Sequence, residues 1–215
     1  MPTEDPRTRR LRAEFEQMVD LAARSELIEF EHFLVVPGLP PERYIVTFKC
    51  RGIASIDESY RPVFATEHKV ALYLDGSYPT TPPRMKWLTP IWHPNIEHAE
   101  PHRVCIDNTW WTPGRTLSKV VLMLGEMVQY KNYHADQTPP YPIDLEVARW
   151  MLWAKEQGVL GRIPVDDREL RRAERVKLAE EPPESSDIVI LSWHKQTTST
   201  EPPEQEPVPR IRIIE

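Results

Sequence analysis

The chain has 215 residues, a length that predicts one domain of about 150 residues with appendages. Its net charge of −6 does not favour nonspecific nucleic-acid binding, and its two cysteines exclude a disulfide framework and favour a reducing compartment, the cytoplasm. No apolar stretch reaches the roughly 20 residues of a membrane-spanning helix, and the polar first ten residues do not resemble a signal peptide, so no membrane association is expected.

An amphipathic helix is predicted over residues 8–25, because its apolar side chains recur at helical spacing and share one face. They are Leu11, Phe15, Met18 and Ala22. Three arginines crowd its first turns: Arg9, Arg10 and Arg12. These arginines form either a solvated face or a docking surface for an acidic partner.

Four segments of alternating polarity follow and predict an antiparallel meander. They cover about 28–32, 44–50, 70–74 and 85–87. Cys50 lies on the apolar face of the second segment and is interpreted as a small core residue. The Pro-rich loop 77–83 cannot continue a central strand, because proline donates no ladder hydrogen bond.

Helices are predicted after the central part of the chain. Apolar spacing indicates one over 117–128, with Thr116 as its N-cap, and another from Leu145 that ends near Gly158. Acidic residues followed by basic ones predict a further helix over 165–180. Residues 181–215 contain six prolines and seven acidic residues, which predicts a flexible tail with two apolar, strand-like segments at 188–193 and 211–214.

The most informative stretch surrounds Cys105, which lies between two apolar residues just after a loop rich in Pro, His and Asn. Several short motifs occur in order along this part of the chain. They are Tyr78-Pro79 with Pro82-Pro83, His93-Pro94-Asn95, Val104-Cys105-Ile106-Asp107, Trp111-Thr112-Pro113 and Thr116-Leu117. Together they resemble the ubiquitin-conjugating enzyme family.

This resemblance implies an α+β fold with an N-terminal helix, a four-stranded antiparallel meander sheet and C-terminal helices. It assigns residues 1–160 to a catalytic domain. The residue pattern adds a helix within 161–180 and an acidic, Pro-rich tail over 181–215. The region 53–64 lacks the family's Gly-Thr-Pro-Tyr motif, and Thr80 stands where a ligase-contacting Phe is often found. The pattern is similar to divergent members encoded beside ubiquitin-like proteins in bacterial operons.

The resemblance also implies a chemistry. Cys105 accepts a ubiquitin-like modifier as a thioester, with its thiolate favoured by the nearby His98, His102 and Arg103. Asn95 stabilises the tetrahedral oxyanion. In the loop that follows the long helix, Asp136 orients the attacking lysine, with His134 as an alternative base. The supporting residues are His93, Pro94, Trp111, Pro113 and His134.

The implied partners are the modifier, an activating enzyme, a target protein with an acceptor lysine and, as an optional further partner, a ligase. Arg9, Arg10 and Arg12 are expected to meet the activating enzyme, and Tyr78 and Pro79 are expected to form a partner-binding surface. No cofactor or metal is expected, because the thioester already holds the energy for transfer.

Alternative interpretations of the same residues stay open at this point. His93, His98, His102 and Cys105 have spacings that suit a zinc site. Two further interpretations are a noncatalytic binding module of the same fold and a cysteine hydrolase that uses His134 or His102 as its base.

Overall fold

The structure, a computed structural model, describes residues 4–106, 111–139 and 141–171. Its helices are α1 (Pro6–Ala23), α2 (Leu117–Val128) and α3 (Leu145–Glu156), and its strands are β1 (Ile28–Phe33), β2 (Arg43–Phe48), β3 (Gly52–Ile56), β4 (Pro62–Ala65), β5 (His68–Tyr73) and β6 (Arg84–Trp87). The predicted α+β architecture is confirmed. No helix within the described ranges combines the length and apolar character needed to cross a bilayer.

The main sheet has four antiparallel strands in the order β1-β2-β5-β6, as the alternating segments predict. Its register places Phe48 opposite both Ile28 and His68. The alternating residues Val46, Phe48 and Cys50 are fully buried, so the interpretation of Cys50 as a core residue is confirmed. Helices α1 and α2 contact each other and pack against β1 and β2, respectively.

A two-stranded ribbon, β3–β4, was not predicted and occupies the region that departs from the family motif. Its turn is held by the Asp57 carboxylate, which accepts hydrogen bonds from the backbone N–H groups of Ser59 and Arg61. The Trp150 indole on α3 donates to the Tyr60 carbonyl at 3.0 Å. The ribbon therefore covers α3, and the two elements share a second apolar core.

Helix α2 begins at Leu117, but its cap differs from the prediction. The Thr116 hydroxyl contacts the Ser118 hydroxyl at 2.9 Å instead of a backbone N–H. The Leu117 N–H donates instead to the buried Glu14 carboxylate of α1 at 2.7 Å. The first turn of α2 is thus satisfied by a tertiary contact, which a local sequence pattern cannot reveal.

The predicted helix over 165–180 is wrong for the part that the structure describes, because residues 161–171 contain no helix. Asp166 instead accepts hydrogen bonds from the Arg51 N–H and from Arg168. Burial disfavours its charge, but these donors outweigh burial and lower its pKa to about 2. Residues 172–180 and the tail 181–215, with both apolar segments, lie outside the described residues.

The segment 161–171 is also part of the fold rather than an appendage to a domain ending at 160. Leu170 is 5% exposed and belongs to the core beneath α2. A Cβ added at Gly125 would lie 2.8 Å from the Leu170 side chain, so the glycine permits this close approach.

Candidate active site around Cys105

An open cleft of about 460 Å³ lies beside α2 and contains the predicted nucleophile. We call it the Cys105 cleft, and it is lined by Asn95, Cys105, Ile106, Lys119, Leu122, Met123, Glu126, Met127, Asn132, Tyr133 and His134. Cys105 is half-buried and holds a free thiol. Its backbone N–H donates to the Asn95 carbonyl at 2.9 Å, so the two residues share one backbone pairing. Asp107 lies outside the described residues.

His93 supports this pairing from inside the protein. Its ring is fully buried, and its Nε2 lies 3.1 Å from the Asn132 carbonyl, while the Asn95 N–H donates to Nδ1 at 3.1 Å. Burial lowers its pKa to about 3, so the ring is neutral and donates through Nε2. Next to it, the Pro94 carbonyl accepts a hydrogen bond from the Asp144 N–H. The geometry agrees with structural roles for His93 and Pro94.

The Asn95 amide holds the loop that closes one end of the cleft. Its Oδ1 accepts a hydrogen bond from the His134 N–H at 2.8 Å, and the residue is 7% exposed. No residue in the described ranges accepts a hydrogen bond from its Nδ2. One amide thus orders the loop through oxygen and keeps nitrogen as a donor, which is compatible with the predicted oxyanion role.

Asp136 follows this loop but is not among the described residues that line the Cys105 cleft. Its carboxylate accepts hydrogen bonds from the Thr138 side chain and backbone, which lower its pKa, and it lies 3.0 Å from His134 Nε2. His134 itself lines the cleft. The structure therefore places His134 at the cleft, whereas the Asp136 carboxylate makes its hydrogen bonds within its own loop. Direct contact between Asp136 and the acceptor amine stays a prediction.

The positive side chains before Cys105 have acidic partners. His98 Nδ1 lies 2.6 Å from Asp144, and Arg103 is paired with Glu97. These side chains are therefore engaged by carboxylates rather than free beside Cys105. The zinc interpretation also loses its geometric basis, since no three His, Cys, Asp or Glu side chains converge within the part of the chain that the structure describes.

Two charged residues of the cleft were missed in the sequence. Lys119 and Glu126 lie seven positions apart on α2, on the exposed side of an otherwise apolar helix. Partial burial raises the pKa of the Glu126 carboxyl. Their helical spacing is visible in the sequence, but nothing there indicates which side of α2 faces Cys105.

Two of the predicted partner-binding residues make hydrogen bonds within the chain. Tyr78 is 2% exposed, and its hydroxyl donates to Glu14 at 2.6 Å. The Arg10 guanidinium donates to Glu14 and to the Pro113 carbonyl at 2.8 Å. These contacts correct the prediction for Arg10 and Tyr78, because groups committed inside one protein are not free to bind another.

The other predicted partner-binding residues differ in exposure. Arg9 is exposed, and Arg12 is paired with Glu4. Pro79 is half-buried, and its carbonyl accepts a hydrogen bond from the Trp111 indole at 3.1 Å. Trp111 thus ties the Pro-rich loop to the segment that leads into α2, which fits its supporting role.

Comparisons with known proteins agree with this geometry. A family model described as ubiquitin-conjugating enzyme matches residues 59–146, which include Cys105. Ubiquitin-conjugating enzyme E2 13 of Saccharomyces cerevisiae is 33% identical over 126 residues, which cover 57% of this chain and 76% of that protein. The chain belongs to the ubiquitin-conjugating enzyme family.

Two further matches cover different shares of the chain. The NEDD8-conjugating enzyme UBE2F of Danio rerio is 44% identical over 81 residues, covering 34% of this chain and 42% of that enzyme, so the chain spans less than half of this relative. The structure of S. cerevisiae Ubc12 aligns with a TM-score of 0.51 at 15% identity, over 74% of this chain and 77% of that one. This last similarity shows the ubiquitin-conjugating fold alone.

Proposed function

We propose that this chain accepts a ubiquitin-like modifier from an activating enzyme as a thioester on Cys105 and transfers it to a lysine of a target protein. The observation that carries the proposal is the position of Cys105, half-exposed in a cleft that it shares with Asn95. Cys50, the only other cysteine, is fully buried. The family relationship supports the same chemistry.

Two acyl transfers make up the proposed reaction. The Cys105 thiolate first attacks the thioester carbonyl on the activating enzyme and releases that enzyme's thiol. A lysine amine then attacks the new thioester, and the Cys105 sulfur leaves. Asn95 Nδ2 donates to the oxyanion formed in the second step, where one such donor is worth roughly 2.7–4 kcal/mol. Asp136 supports this step by holding His134 at the cleft.

The proposed partners follow from the family. Arg9 and Arg12, on the outer side of α1, meet the activating enzyme. Ubiquitin and NEDD8 are the candidate modifiers, because relatives are named for them. A target protein supplies the lysine, and a ligase is an optional further partner. The proposed compartment is the cytoplasm. The proposed gene lies in a bacterial operon that also encodes a ubiquitin-like protein.

A loading assay tests the proposal. The protein is incubated with ATP and either ubiquitin or NEDD8, each with its activating enzyme, and resolved with and without reductant. We expect a reductant-sensitive adduct of the native chain. Cys105→Ser should convert the adduct to a reductant-resistant ester, and Cys105→Ala should abolish it.

The matched control is Cys50→Ala, which should retain loading. A chain that binds a modifier equally well with Cys105→Ala and never forms an adduct would be a noncatalytic binding module instead.

A further inference from the structure

We propose that Glu126 receives the acceptor lysine and takes its proton as it attacks the Cys105 thioester. This inference rests on the proposed function and assigns to Glu126 the role that the sequence pattern gives to Asp136.

A short series of hydrogen bonds places Glu126 at the Asn95 end of the Cys105 cleft. Cys105 is bonded through its N–H to Asn95, and the Asn95 amide is bonded to the His134 N–H. The loop that contains His134 leaves α2 in a turn whose first N–H groups, those of Lys131 and Asn132, donate to the Glu126 carbonyl at 2.9 and 3.2 Å. The last turn of α2, which contains Glu126, therefore lies next to the loop that the Asn95 amide holds.

The charges along the cleft direct an ammonium group to this end. Lys119 and Glu126 are separated by seven residues, about two helical turns or roughly 10 Å along the axis of α2. Leu122 and Met123 line the cleft between them. A lysine ammonium is repelled by Lys119 and attracted by Glu126, so it enters at the end where Asn95 lies.

Glu126 is also the carboxylate that remains available. No cation in the described ranges forms a salt bridge with it, since the nearby Lys131 ammonium donates to the carbonyls of Asp167 and Arg168. Partial burial and the neighbouring Glu169 raise its pKa, although Lys131 opposes the shift, and this makes it a better proton acceptor than an ordinary glutamate. Asp136, by contrast, is committed to Thr138 and His134.

The proposed step conserves atoms and charge. The ammonium of the incoming lysine transfers one proton to the Glu126 carboxylate and becomes a neutral amine. Its nitrogen forms a bond to the thioester carbonyl carbon, and the C–S bond breaks to release the Cys105 thiolate. The nitrogen then loses its second proton to that thiolate, and Glu126 returns its proton to solvent.

Single-turnover discharge of the loaded chain tests the inference. Cys105 is loaded by an activating enzyme or by exchange with a synthetic peptidyl-glycine thioester, and discharge is followed with free lysine or with a small thiol. We expect Glu126→Gln to slow discharge to lysine at least about tenfold, since a positioned acid–base group typically contributes roughly 10²–10⁴. Discharge to the thiol should be unchanged, because a thiol carries no ammonium.

The control is Glu156→Gln, the same substitution at an exposed position at the end of α3 away from the cleft, which should discharge like the native chain. Equal slowing with lysine and thiol would overturn the inference, because Glu126 would then hold the modifier rather than the amine. Unchanged lysine discharge would overturn it as well. Failure of the native chain to load would instead remove the proposed function.

A pH series adds a second readout. Glu126 is faced by Lys131 and Glu169. Lys119 lies on the same side of α2, and the other titratable side chains that line the cleft are Tyr133, His134 and Cys105. The ratio of native to Glu126→Gln rates should fall as pH rises toward about 10, where lysine loses its proton to solvent. A ratio independent of pH would contradict proton transfer to Glu126.

Discussion

The surroundings of the two cysteines show how one chain places the same thiol in opposite chemical settings. Cys50 follows β2, fully buried in the main core, and burial together with Asp166 raises its pKa to about 12. Cys105 is half-buried on a cleft, between a backbone pairing and the exposed side of α2. Enclosure protects the first thiol, and the cleft gives the second a route to large partners. Position in the fold, rather than residue type, distinguishes the buried core thiol from the proposed nucleophile.

The largest expected effect tests this contrast directly. With a pKa of about 12, only about one Cys50 thiol in 10⁴ is ionised at pH 8, and its burial excludes reagents. We therefore expect iodoacetamide to modify Cys105 in the native chain and to reach Cys50 only after unfolding. Peptide mass spectrometry with time measures both rates, and labelling of Cys50 as fast as Cys105 would break the comparison.

Asn95 offers a sharper test within the Cys105 region. Asn95→Ala should slow discharge to lysine by roughly 10²–10³ while leaving loading nearly intact. Asn95→Asp keeps an oxygen for the His134 N–H but removes the amide donor, so it should be as slow if the oxyanion role is correct. Recovery of discharge in Asn95→Asp would assign the amide to loop ordering alone. Single-turnover kinetics measure the loading rate and the discharge rate of each variant.

His93, which supports the backbone pairing beside the cleft, is as fully buried as Cys50. Its folded pKa of about 3 lies below the unfolded value of about 6.5, so the unfolded chain takes up a proton first as pH falls. Its contribution to stability is complete above pH 6.5 and is lost toward pH 3. Between pH 7 and 5 we expect the free energy of unfolding to fall by about 2 kcal/mol more in the native chain than in His93→Gln.

Urea unfolding at each pH measures this difference. His68, whose pKa is also lowered by burial, is present in both proteins and cancels in the comparison. Parallel pH profiles for the native chain and His93→Gln would mean that folding does not lower the pKa of the imidazole.

The smallest expected effect concerns two arginines of α1: Arg10 makes hydrogen bonds within the chain, and Arg9 is exposed. Arg10 donates to Glu14 and to backbone carbonyls, so Arg10→Ala should lower the free energy of unfolding by about 1–3 kcal/mol. Arg9→Ala should leave stability within about 0.5 kcal/mol but raise the concentration of activating enzyme needed for loading. Unfolding curves and loading titrations separate the two variants, and equal loading defects would remove the docking role of Arg9.

Features that depend on local pattern are predictable from the amino-acid sequence. Alternation locates the four strands of the main sheet, and helical spacing locates α1, α2 and α3. The short motifs around His93 and Cys105 are sufficient to indicate the family. The burial of Cys50 follows from alternation alone, because Cys50 lies two positions after the apolar Phe48 in the same segment.

Features set by long-range contacts are not predictable in this way. The cap of α2 comes from Glu14, about a hundred positions earlier, and the ribbon β3–β4 is stabilised by its contact with Trp150 on α3. Asp136 is favoured by the sequence because it is acidic and follows α2, yet the loop satisfies it with Thr138. Glu126 gives no comparable signal, because only the packing of α2 determines which of its sides borders the cleft.

The contact between Leu170 and Gly125 changes where the folded domain ends. A version of the protein cut after residue 160 would uncover the back of α2 and remove Asp166, whose carboxylate accepts a hydrogen bond from the Arg51 N–H. Because the opposite side of α2 forms one wall of the Cys105 cleft, such a cut would remove the packing that supports this wall. Expression and engineering of a minimal enzyme should therefore retain the chain through Arg171.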